Sequence, residues 1–111
     1  MKDLDKLAVE VFSDYSRNAH FTSNGSKLAY YAYEGDSLHS FVDVADFVIK
    51  CKQWIIKKEG YSAESGMSSE EQWFRLLRYG IPVKTVTCVT EHGAAAEVCI
   101  WLMALEGEKD G

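Results

Sequence analysis

Residues 3–17 carry Leu4, Leu7, Ala8, Val11 and Tyr15 at i, i+3, i+4 spacing, which puts them on one face and predicts a helix. Asp3 and Asp5 in its first turn suit the helix dipole. Between residues 19 and 33 the rhythm changes to alternation. Asn24-Gly25 at the centre is a hairpin signal, because a type I′ turn needs positive φ at both central residues. That turn sets Phe21 opposite Leu28, His20 opposite Ala29 and Ala19 opposite Tyr30. One face then holds Ala19, Phe21, Leu28, Tyr30 and Ala32, and the other holds His20, Thr22, Ala29, Tyr31 and Tyr33.

Gly35-Asp36 ends the strand, and Ser40 with Asp43 has capping-box spacing. A helix is expected from there to about Lys58, closed by Gly60. Phe41, Val44, Val48, Cys51 and Ile55 form its core stripe, and Asp43, Asp46, Lys50, Gln53 and Lys57 its wet stripe. Residues 60–66 are polar and rich in Gly and Ser, the composition of a loop. Ser68 and Glu71 repeat the capping-box spacing and open a short helix to Tyr79, with Trp73, Leu76 and Leu77 on its apolar side.

Val83 to Glu91 alternates and reads as a strand, and Gly93-Ala94 fits a type II′ turn. The return strand would run from Ala95 to about Leu105, setting Cys88 opposite Cys99, Val86 opposite Trp101 and Val89 opposite Val98. A terminal helix is the alternative, since Ala, Leu, Met and Glu are good helix formers. Val98 to Leu105 has no polar stripe, which favours the strand. Residues 107–111 are charged and read as a frayed tail. The pattern therefore predicts an α+β fold in the order α-ββ-α-α-ββ. Two antiparallel β-hairpins form a roughly four-stranded sheet packed by three helices.

At 111 residues the chain has the size of one small domain. It is 47% hydrophobic and 26% charged, an ordinary globular balance. The formal charge of −5 repels phosphate backbones. Lys50, Lys52, Lys57 and Lys58 are the nearest thing to a basic cluster, and Asp43 and Asp46 dilute it. Nucleic acid is thus not the expected partner, whereas a protein with a basic surface would suit the acidic charge. Cys51, Cys88 and Cys99 are an odd count without a CxxC, unlike a secreted disulfide framework. The acid-containing start does not read as a signal peptide, and no apolar run is long enough to span a bilayer. These features give a reducing cytoplasm as the expected location, with no membrane.

Gly35-Asp36-Ser37-Leu38 resembles the first sequence block of GDSL-type (SGNH) esterases. The resemblance covers these four residues and implies that Ser37 is a nucleophile. Those enzymes use a parallel α/β sheet in a longer chain and place an Asp-x-x-His pair near the C-terminus. Here no Asp lies between Asp46 and Asp110. A serine nucleophile needs a base held by a third group, and His92 beside Glu91 in the predicted turn is the first candidate. Cys88, Cys99 and His92 do not converge in the predicted register as zinc requires, so no metal is expected. No Gly-rich phosphate loop is present, so no cofactor is expected.

The remaining candidates are surfaces. His20, Tyr31 and Tyr33 share a hairpin face suited to a ligand ring or a partner. Trp101 and Met103 lie on the C-terminal strand, which is apolar on both faces and so needs burial on both. Three modest helices cover one face. A second copy of the chain would cover the other, which predicts a non-catalytic interaction module that forms a homodimer. The alternative is a small-molecule-binding protein or small hydrolase, with its pocket near the first hairpin and the 35–40 turn.

Overall fold

The computed structural model describes residues 4, 6, 7, 10, 11, 20–22, 27–31 and 39–110. Leu4, Lys6, Leu7, Glu10 and Val11 are helical, in line with the first apolar stripe. Leu4 and Leu7 are buried in the core. Strands β1 (His20–Phe21), β2 (Lys27–Tyr31) and β3 (His39–Asp43) form an antiparallel sheet in that order. Its first register pairs His20 with Ala29 and Phe21 with Leu28, as the Asn24-Gly25 signal predicts. The turn itself, the Ala19–Tyr30 pair, Tyr33 and Ser37 lie outside the described residues.

The first correction falls at residues 39–43. They form β3, paired with β2 from Lys27–Asp43 to Tyr31–His39, so Ser40 does not cap a helix. Helix α1 (Val44–Ile56) starts directly after, with Asp43 at its N-cap position and no side-chain cap hydrogen bond. Its stripe keeps Val48, Cys51 and Ile55 from the expected one, loses Phe41 to β3 and leaves Val44 half-buried, and adds Phe47 and Trp54. Phe47, Val48, Cys51, Trp54 and Ile55 are buried, while Asp46, Lys50, Gln53 and Lys57 face out.

The second correction covers residues 60–79. The expected loop and helix are the strands β4 (Tyr61–Met67) and β5 (Gln72–Arg78). The Ser68–Glu71 pair closes a hairpin instead of capping a helix. The Ser68 N–H and hydroxyl both donate to the Glu71 carbonyl, at 2.8 and 3.1 Å. Trp73, Leu76 and Leu77 suit helical spacing, but in the strand Phe74 and Leu76 turn inward, fully buried, between the outward Trp73, Arg75 and Leu77. Gly66 belongs in β4 because the Trp73 indole lies over it. A Cβ there would sit 2.5 Å from the ring. Strand β6 (Ile81–Cys88) completes a second antiparallel sheet of order β4-β5-β6, with an irregularity between Leu76 and Leu77.

The third correction is the largest. Residues 91–110 form helix α2 (Glu91–Asp110), not a hairpin return. Gly93-Ala94 is its first turn. The Thr90 hydroxyl accepts from the Gly93 N–H at 3.2 Å, and the Thr90 carbonyl accepts from the Ala94 N–H at 3.2 Å. A helix without a polar stripe is tolerable where neighbours enclose it. Helix α2 packs on α1 and beneath β5 and β6. Ala94, Ala95, Val98, Cys99 and Leu102 have 0% exposure. The fold is thus α+β, with two three-stranded antiparallel sheets in place of a single four-stranded one.

Helices α1 and α2 run parallel and in step. Val44 and His92 line one cleft, the buried Cys51 and Cys99 thiols are neighbours, and Lys58 meets Glu106 at 2.9 Å. Each contact recurs after seven residues along both segments, the spacing of a helix–helix seam. Cys99 therefore partners Cys51 and not Cys88, which sits opposite Gln72 on β6.

Candidate functional site

The parallel seam brings the starts of both helices to one place. There, beside the first residue of β5, lies an open cleft of about 290 Å³, lined by Val44, Ala45, Val48, Gln72, Thr90, Glu91 and His92. Val44, Ala45 and Val48 supply its apolar wall. Gln72, Thr90, Glu91 and His92 supply the polar one. Thr90 is committed to capping α2. Glu91 Oε2 accepts a 2.7 Å hydrogen bond from the Ser65 hydroxyl on β4.

His92 stands in the first turn of α2, not in a hairpin turn. Its ring meets the Phe21 ring edge-on, with centroids 4.8 Å apart, so the first hairpin borders the cleft. Burial lowers its pKa below the ordinary 6.5, and the Glu91 carboxylate opposes that shift only in part. The imidazole is thus neutral at pH 7, able to accept through one nitrogen and donate through the other.

The other sequence candidates scatter. His20 and Tyr31 lie on β1 and β2 of the first sheet. Trp101 and Met103 lie on α2, both half-buried. The Lys84 ammonium lies 5.6 Å from the centre of the Trp101 ring. Met103 lines a second groove with Lys6, Ile100, Ala104 and Gly107. Glu91 and His92 come together in the cleft, while Gln72 and Val48 were not foreseen. Val48 comes there with α1, and Gln72 with the start of β5. Among the described residues, no three His, Cys, Asp or Glu side chains gather as a metal-holding set. No described helix is long and apolar enough to cross a membrane.

The three cysteines differ in setting. Burial raises the Cys51 thiol well above its ordinary 9.0, and the neighbouring Cys99 adds to the rise. Cys88 is raised by desolvation first and then by the Glu97 and Glu71 carboxylates. Raised thiols are protonated at pH 7 and make poor nucleophiles.

The second sheet has an inner face on the helices and an outer face in the open. Arg75 anchors the outer face, paired with Glu64 at 2.9 Å and placed 4.7 Å from the Trp73 ring centre. Of the seven large exposed apolar residues among those described, Ile49 and Ile56 lie on α1, Met67 ends β4, and the other four lie along or beside β6. Tyr79, Ile81, Val83 and Val89 lie on β6 or next to its ends, exposed by 68%, 66%, 43% and 83%. Comparison with protein-family models, with curated proteins and with solved structures finds no match, so any function must be argued from these surfaces alone.

Proposed function

We propose that this chain is a non-catalytic protein-interaction module whose partner is a second copy of itself. The expected apolar C-terminal hairpin does not exist, so the surface that carries the proposal is a different one. The supporting observation is the outward face of β6, where Ile81 and Val83, with Val89 just beyond its end, are exposed on either side of Thr85 and Thr87. Scattered exposed apolar residues are ordinary on a surface, but their alignment along one strand face is what an interface supplies. Multi-angle light scattering at micromolar concentration tests it. The mass should approach twice 12.5 kDa. A mass of one chain at every concentration would overturn the proposal.

The cleft favours a second reading, a small-molecule binder. Its volume of about 290 Å³ is at the lower end for ligand pockets, and an apolar wall faces four polar side chains. A thermal-shift screen against metabolites should then find a ligand that raises the melting temperature by mass action. A flat screen would remove this reading. Its hydrolytic form needs ester turnover that disappears in a folded Ser37→Ala variant.

A further inference from the structure

We infer that two copies pair edge to edge through β6, antiparallel and centred on Val86, so that two three-stranded sheets join into one of six strands. The inference rests on the self-association proposed above and specifies its contact.

Strand β6 is an edge. Among the described residues its only ladder is with β5, and no other backbone hydrogen bond reaches it. Such an edge presents unpaired N–H and C=O groups, and the antiparallel complement of an edge is another copy of the same edge. Its first part is blunted. Pro82 has no N–H to offer, and the irregularity of the β5 ladder falls opposite Pro82 to Lys84. The regular stretch runs from Lys84 to Cys88.

The layer beneath is unfinished on the same side. On α2, Glu97 is exposed and Trp101, four residues further on, is half-buried. This pair follows β6. Glu97 is near enough to Cys88 to influence its thiol, and Trp101 lies under Lys84. Helix α1 closes the opposite side of α2 through Cys51 and Lys58. A second copy joined at β6 would set its own α2 alongside this open pair, extending both layers at once.

The register follows from matching. Lys84, Val86 and Cys88 lie opposite Leu76, Phe74 and Gln72 on the inner face, and they must meet inner-face residues across the joint. Centring on Val86 sets Lys84 opposite Cys88 of the second copy, near that copy's Glu97, so opposite charges meet twice. It also brings exposed Val83 to exposed Val89 of the second copy, again twice. Thr85 falls opposite Thr87. A register centred on Thr85 or Thr87 loses all of these matches. Pairing β6 to β4 instead would be head-to-tail and would not close.

Sedimentation velocity on three variants tests this, with circular dichroism confirming the fold. Thr85 and Thr87 are exposed, so charges there leave the monomer intact. In Thr85→Glu/Thr87→Glu like charges oppose one another twice, and dimer dissociation should strengthen about ten-fold or more. In Thr85→Glu/Thr87→Lys opposite charges meet in this register alone, and the dimer should persist. Val89→Lys, outside the strand, should weaken the dimer several-fold. A monomeric wild type would overturn the self-association and the inference with it. A wild-type dimer that all three variants leave unchanged would overturn the β6 joint alone. Loss of the dimer in both double variants would overturn the register centred on Val86.

Discussion

The two flanks of helix α2 are finished differently. Toward α1, Val98, Cys99 and Leu102 are fully buried, Cys99 neighbours the equally buried Cys51, and Lys58 ties the far end to Glu106. Toward β6, Trp101 is half-covered, Glu97 is exposed, and the strand above ends in an open ladder. One helix thus has a flank built as a core and a flank built as a surface. The difference shows what limits a short chain. One apolar helix can be enclosed on one side by a parallel partner, but enclosing the other takes more chain or a second molecule.

Substitutions can sharpen this contrast, beginning on the closed flank. Leu102→Ala removes a fully buried side chain and leaves a cavity, which should cost about 3 kcal/mol in urea denaturation. A cost near zero would mean that this flank is not packed as described. Thr90→Ala removes the cap that starts α2 at the cleft and should cost about 1 kcal/mol. It should leave light-scattering mass unchanged.

The seam also titrates. The His92 pKa is lowered by folding, so the unfolded chain takes up that proton first. Its contribution to stability is complete above pH 6.5 and is lost as pH falls through the lowered value. Urea midpoints measured across mildly acidic pH should therefore fall with pH, and less steeply in His92→Gln. An equal slope in the variant would contradict the burial argument. Lys58→Met breaks an ion pair that is only partly shielded from solvent, so the expected loss is below about 1 kcal/mol. On the open flank, Val89→Lys should change monomer stability at high dilution by less than about 0.5 kcal/mol. Both are read by thermal denaturation.

What was legible in the chain divides along the same line. The first hairpin's register followed from Asn24-Gly25, because that turn admits few alternatives. The stripe of α1 was legible because one face is wet along its whole length. Helix α2 was not, since burial on several sides erased the polar stripe that marks a helix. Strands β4 and β5 were masked by ambiguous signals. Ser68 and Glu71 have the spacing of a capping box and also close a hairpin, and the helical spacing of Trp73, Leu76 and Leu77 hid the alternation that buries Phe74 and Leu76. His92 and Glu91 were recognisable as chemistry. Gln72 joined them through a contact between distant elements, which local pattern does not encode.

Hydrogen exchange of the wild-type chain across a concentration series tests the central claim most directly. If a second copy covers the open flank, the outward amides between Lys84 and Cys88 should gain protection as concentration rises, while amides of β5 stay constant. Exchange along β6 that is fast and independent of concentration would contradict it.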